Sequence, residues 1–221
     1  MSKSALIVWG GWDGHEPDKV ADLFREILAQ EGVTVTVRDT LDAFTEFDPA
    51  SPPDLIVPVW TMGEITHEQC QAVTKAVAEQ GVGIAGCHGG MCDAFRNNTE
   101  WQFMTGGQWV AHPGDTNVTY EVHLNHGVIP ELTDGLGDFT VRSEQYYLHT
   151  DPGNTVLAWT HFPHPDFGGH HEANPCQMPQ VWVKSFGMGR VFYNAIGHQA
   201  SDLATGVPRE LMRRGFLYAL R

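Results

Sequence analysis

Nine consecutive residues, Val82-Gly83-Ile84-Ala85-Gly86-Cys87-His88-Gly89-Gly90, constrain this chain more than any other stretch. A run of small and β-branched residues reads as a buried strand, and the glycines just past it allow a sharp turn into the next element. Such a strand carries a reactive side chain to the sheet edge. In α/β hydrolases a strand-turn-helix of this kind presents the nucleophile, with a small residue two positions to either side. Gly86 and Gly90 put His88, not Cys87, at the centre of that spacing. The plainer alternative is a glycine-rich turn with a core cysteine and a capping histidine.

The first half of the chain alternates strand and helix patterns. Ala5–Trp9 reads as a buried strand, 10–17 as a turn, and a helix follows from about Asp18. Its apolar residues Val20, Leu23, Phe24, Ile27 and Leu28 keep the 3.6-residue period, and Gly32 ends it. Val33–Val37 and Asp54–Trp60 are further strands, and Thr66 with Gln69 forms a capping box for a helix running to about Gln80. Strands alternating with helices imply βαβ units, a mostly parallel sheet and right-handed crossovers. Ligands then sit beyond the carboxyl ends of the strands. That rule places 11–15, 60–64 and 87–90 on one rim. After a helical piece over Met91–Arg96 the character changes. Thr116–Leu124, Asp138–Leu148, Thr155–Thr160, Gln180–Ser185 and Gly189–Ala195 read as antiparallel strands, and 185–190 reads as a hairpin turn. Phe162–Pro179 is expected as an irregular loop and Val207–Leu220 as a final helix. No repeat or linker divides the chain.

At 221 residues, with 42% hydrophobic residues, the chain suits one α/β domain with a full core. Thirteen basic against 27 acidic residues give a formal charge of −14, which argues against nucleic acid or an anionic membrane as partner. The opening residues contain a hydrophobic run of about five, far short of a signal or spanning segment. A cytoplasmic location is expected, and Cys70, Cys87, Cys92 and Cys176 are expected to be reduced thiols. Gly10-Gly11-Trp12-Asp13-Gly14 lacks the dinucleotide order, and no Gly-Lys-Ser/Thr occurs, which argues against nucleotide cofactors.

The chemistry-bearing residues are His88, Glu144 and His198, each at or near an apolar strand where an ionisable group needs a partner or a role. As an acid–base set, one histidine accepts a proton and Glu144 orients it or acts as the complementary acid. As a metal site, two imidazoles and a carboxylate with an open position suit zinc. Sequence separation does not choose between these. Glu144 paired with Arg142 or Arg190 across neighbouring strands is a third, structural role. His112 is held extended before Pro113, and His15 lies in a glycine-flanked loop; both are candidates for substrate or metal contact, with local capping as the alternative. Trp12, Trp60, Tyr146 and Tyr147 offer faces to a sugar ring, although aromatic side chains more often pack in cores. His161, His164, His170 and His171 lie in proline-rich loop without fixed geometry, and a mobile lid is expected there.

Several segments together resemble the ThuA-like (trehalose utilisation) family. They are 85–90, then Met104-Thr105-Gly106-Gly107 leading to His112-Pro113, then Phe139 to Tyr147, and finally Pro179–Trp182 through Gly189–Tyr193 to Gly197-His198. The resemblance implies one domain over 1–221 with a class I glutamine amidotransferase-like (flavodoxin-like) α/β fold, its central sheet mostly parallel with antiparallel additions in the second half. In amidotransferases the elbow residue is a cysteine served by a later His and Glu, whereas here His88 stands there, as in the resembled family. Sliding the register by one residue would put Cys87 at the elbow and keep a Cys-nucleophile amidotransferase-like hydrolase as an alternative. The family is associated with disaccharide catabolism alongside enzymes that make 3-keto sugars. The resulting expectation is a hydrolase, lyase or isomerase acting on a disaccharide or 3-keto-sugar by hydrolysis or proton transfer. His88, Glu144 and His198 would be catalytic, and Trp12, His15, His112 and Tyr146 would contact substrate. A divalent metal such as zinc is the candidate cofactor, a small sugar the expected partner, and a homo-oligomer is compatible with the fold. The alternative of another class is a noncatalytic sugar- or partner-binding protein.

Overall fold

A computed structural model of the chain describes residues 3–221. Strand β1 (Ser4–Gly11) leads through a short 3-10 turn to α1 (Pro17–Gln30), followed by β2 (Thr34–Arg38), α2 (Ala43–Glu46) and β3 (Leu55–Thr61). Next come α3 (His67–Gln80), β4 (Gly83–Cys87), α4 (His88–Cys92), α5 (Thr99–Thr105) and β5 (Gly107–Ala111). The remainder is β6 (Thr119–Leu124), α6 (Pro130–Thr133), β7 (Phe139–Arg142), β8 (Tyr147–Thr150), β9 (Thr155–Phe162), β10 (Cys176–Phe186), β11 (Gly189–Asn194) and α7 (Gly206–Ala219). Nine strands form one sheet in the order β2-β1-β3-β4-β11-β10-β9-β6-β7, and β5 pairs with β8 separately. The strands from β2 to β11 run parallel and the rest pair antiparallel. This is the expected α/β single domain with a parallel first half and an antiparallel second half.

Local chemistry explains the helices that frame the parallel half. Helix α1 has Pro17 in its first turn and buries Val20, Phe24, Ile27 and Leu28 against one sheet face, where they join Leu211, Met212 and Phe216 of α7. Helix α3 starts at the expected capping box: the Thr66 N–H donates to Gln69 Oε1 at 3.0 Å and the Gln69 N–H to Thr66 Oγ1 at 3.2 Å. Its Cys70, Val73 and Val77 bury against the other face with Met91, Phe95 and Trp101. No helix among the described residues is long and apolar enough to cross a membrane.

Four expectations are corrected. The helical piece placed at 91–96 begins earlier, at His88, and a second helix, α5, follows at Thr99–Thr105, capped by Asn98, whose side chain accepts the Trp101 N–H at 2.9 Å. The single strand read across 138–148 is two strands in different sheets, because Ser143, Glu144, Gln145 and Tyr146 are all buried and leave the alternating pattern. The loop expected over 162–179 narrows to 163–175, since β10 already begins at Cys176 and pairs there with Phe162 of β9. Strand β6 begins at Thr119, a 3-10 turn taking 115–117. The four cysteines carry free thiols, with Cys70, Cys87 and Cys92 buried and Cys176 exposed.

Candidate functional site

The strand order sets the carboxyl ends of β1, β3, β4 and β11 side by side, and each delivers one polar side chain to a common point. These are His15 from the turn after β1, Thr61 at the end of β3, His88 after β4 and His198 after β11. Parallel pairing of Asn194 with Cys87 aligns the last two. The turn out of β4 falls at His88, whose φ of 46° lies in the left-handed region, while Cys87 stays extended at φ −132° and ψ 159°. A non-glycine residue is strained there. His88 thus occupies the elbow. Cys87 packs instead in the core with Ile196 and Leu203, and burial pushes its thiol far up.

Glu144 reaches the same point from the connection between β7 and β8. Its neighbours pin it. The Ser143 N–H donates to the Val118 carbonyl at 3.0 Å and its hydroxyl to Asp202 at 2.7 Å, while Gln145 Nε2 donates to the His161 carbonyl at 2.8 Å. The Tyr120 hydroxyl donates to the Glu144 carbonyl at 3.1 Å. Held between these anchors, the carboxylate is 4% exposed and lies among histidines. Its Oε2 is 3.0 Å from His88 Nε2 and 3.8 Å from His15 Nε2, and its Oε1 is 3.3 Å from His198 Nδ1 and 3.7 Å from His112 Nδ1. The expected pairing of Glu144 with Arg142 or Arg190 does not form: Arg142 donates to Asn117, and Arg190 to the Leu220 carbonyl.

One donor atom from each of His15, His88, Glu144 and His198 lies within 4.8 Å of all the others. The hydrogen-bond inventory around them does not balance. A neutral imidazole carries one N–H, yet both nitrogens of His88 face oxygen acceptors: Nδ1 is 2.7 Å from the Ala195 carbonyl and Nε2 is 3.0 Å from the carboxylate. Burial pushes this imidazole down to about 4, against the opposing pull of Glu144. Burial alone would raise Glu144, but the surrounding imidazoles of His15, His198 and His88 outweigh it and hold the carboxyl well below the usual range. His198, which burial would lower, is raised by the same carboxylate. His198 Nδ1 and His112 Nδ1 are also buried without a hydrogen-bond partner. A cation bound among His15, His88, His198 and Glu144 would satisfy the His88 and His198 nitrogens together, and this donor set is one that divalent metals of the zinc type accept.

Among the described residues, left-handed strain in the backbone gathers around this place. Among the described residues the non-glycine positions with left-handed φ are Glu16, Met62, His88 and Asp115. They follow His15, follow Thr61, form the elbow, and place a carboxylate 3.1 Å from His112 Nδ1, respectively. Strain of this kind collects at functional sites. The remaining expected residues fall around the cluster. Tyr146 stacks on the His88 ring at 3.9 Å and is 1% exposed, so its face is already covered. Trp12 stands at the surface with its ring 4.7 Å from His15. The His161, His164, His170 and His171 group does not converge: His171 lies by Tyr147, His164 by Phe167, and His161 by Trp159. Thr61, whose hydroxyl is 2.9 Å from His15 Nδ1, Asp115 and the Ala195 carbonyl join the site without having been expected from the sequence. Thr61 lay in a segment expected on the rim, but a hydroxyl carries no ligand signal of its own.

The family described as ThuA, trehalose utilisation, matches residues 4–219. No curated sequence matches. Among solved structures, a ThuA-like protein of Parabacteroides merdae superposes with a TM-score of 0.76 at 15% identity, covering 100% of this chain and 90% of that one. A ThuA-like protein of Bacteroides uniformis gives 0.74 at 16% identity, covering 98% and 91%. A Thermoplasma acidophilum protein described as part of a GMP synthase gives 0.53 at 16% identity, covering 99% and 96%. These likenesses establish the class I glutamine amidotransferase-like fold.

Proposed function

Because this chain belongs to the ThuA trehalose-utilisation family, we propose that it is a metal-dependent enzyme of carbohydrate catabolism. Its substrate is a disaccharide or 3-keto-sugar, and its reaction is a hydrolysis or a proton transfer at the imidazole cluster. One observation carries this reading: His88 has an oxygen acceptor at each ring nitrogen, in a site too buried to keep it protonated at neutral pH. A bound divalent cation resolves that conflict. His15, His88, His198 and Glu144 would hold it, with zinc the natural occupant of three imidazoles and a carboxylate. When bound, such an ion supplies Lewis acidity toward a carbonyl or glycosidic oxygen.

The chain's own residues do the rest. The Ala195 carbonyl and the Thr61 hydroxyl orient His88 and His15 from behind, as outer partners of ligating histidines commonly do. His112, partly exposed and with the Asp115 carboxylate 3.1 Å from its Nδ1, is placed to pass a proton between a ligand and solvent. The thiol alternative gains nothing from Cys87, which is buried in the apolar core and whose thiolate is disfavoured by that burial. The expected location is cytoplasmic.

Elemental analysis of the purified protein should find about one divalent metal per chain, as a single four-ligand site demands. His88→Ala should lose that metal and the turnover of a 3-keto-disaccharide. A His88→Ala protein that folds and keeps the parent rate would refute the assignment.

A further inference from the structure

Trp12 is 45% exposed, an unusual state for the largest side chain, and yet it is fixed. Its N–H continues the pairing of β1 with β3 by donating to the Thr61 carbonyl at 3.0 Å. The ring stands edge-on to His15 at 4.7 Å and to His198 at 6.5 Å. Gly14 closes the other side: a Cβ there would come within 2.3 Å of the indole. A clamped aromatic surface loses no side-chain freedom when a ligand settles on it, which favours binding. Met62, 44% exposed in the adjoining loop after β3, adds apolar surface on that rim.

We infer that Trp12 is the stacking platform for an uncharged, unphosphorylated pyranose ring, holding a saccharide beside the imidazole cluster; this rests on the reading of that cluster as a sugar-directed centre. The C–H face of a pyranose is weakly positive and apolar, and it suits the negative face of an indole. The side-chain charges on the outer rim, away from the cluster, select against an anion. Asp13 and Glu16 follow Trp12 in the same loop and Asp115 lies beside His112; all three are carboxylates, able to accept hydrogen bonds from sugar hydroxyls. The basic side chains paired with acids next to these loops are engaged: Lys19 binds Glu16, while Arg96 makes a two-pronged pair with Asp93 and covers the Trp109 ring at 4.3 Å. A phosphate on the stacked ring, turned outward from the cluster that would hold the metal, would meet these carboxylates with no free cation among these groups.

The test measures binding to the metal-loaded full-length protein by calorimetry and by saturation-transfer NMR, with trehalose, methyl α-glucopyranoside and glucose 6-phosphate as probes. The two neutral sugars should bind through their ring C–H protons, with glucose 6-phosphate at least about tenfold weaker, a loss of the size that like-charge contacts produce. Trp12→Ala should weaken the neutral sugars about tenfold and Trp12→Phe by no more than about threefold, in line with stacking energies. Gly14→Ala should weaken them as well, by displacing the indole. Unchanged affinity in Trp12→Ala, equal affinity for the phosphorylated probe, or no binding of the neutral sugars by the parent would each overturn the inference. Metal content is measured separately on every protein, so a failure of the metal reading is seen without reference to the sugars.

Discussion

At the scale of single residues, the site depends on what is missing beside it as much as on the ligating groups. Gly89 follows His88 directly, and a Cβ there would lie 2.6 Å from the His15 ring. Gly89→Ala should therefore push His15 out of the cluster without substituting any of the ligating residues. Metal affinity, measured by competition with a chelator, should fall by about tenfold or more, the size seen when outer support of a ligand is lost; parent affinity would show that His15 is not a ligand. His88 was legible in the sequence because Gly86 and Gly90 mark an elbow by local spacing. Glu144 was readable as a titratable group but not as a partner of His88. Its direction comes from Ser143 and Gln145, whose anchors lie just before β6, on β9 and in the turn after β11.

At the scale of elements, local signals succeeded where a helix or strand is long enough to show its period. Helices α1 and α3 and the parallel strands belong to that class. The misreadings share a cause: α5 has seven residues, too few for periodicity, although Asn98 and Gly106 at its ends were usable caps. The chain over 138–148 alternates only as far as Arg142 and then buries four residues in succession to position Glu144. On α7, Glu210 is held down at about 2, chiefly by its hydrogen bond from Arg213 and further by Arg214. Its folded value lies below its unfolded one, so the stabilisation is present above about pH 4.5 and is lost as pH falls toward 2. Glu210→Gln should lower the melting temperature at pH 7 by an amount corresponding to less than about 1 kcal/mol, since the group is partly exposed. That difference should close as pH is lowered through this window in thermal melts. A gap that persists unchanged at pH 3 would mean the ion pairs contribute nothing.

At the scale of the whole molecule, the cluster joins parts of the chain that have no stable arrangement apart from the fold. A metal held by β1, β4, β11 and the β7–β8 connection ties both halves of the sheet together. Binding to the folded form alone at a hundredfold excess over Kd adds about 2.7 kcal/mol. For a domain of this size that corresponds to a rise in melting temperature on the order of 5–10 °C. Removing metal with a chelator should lower the melting temperature of the parent by that amount and leave His88→Ala unmoved; a parent indifferent to the chelator would count against the metal. The amino-acid sequence by itself determined the βα alternation, the elbow at His88 and the rim where ligands gather, since each follows from neighbours within a few positions. Only the tertiary structure decided that β11 inserts beside β4, bringing the Ala195 carbonyl to His88 across 107 residues, and that Glu144 turns inward to meet three imidazoles. Those contacts are set by strand order and by burial, and no local pattern encodes either.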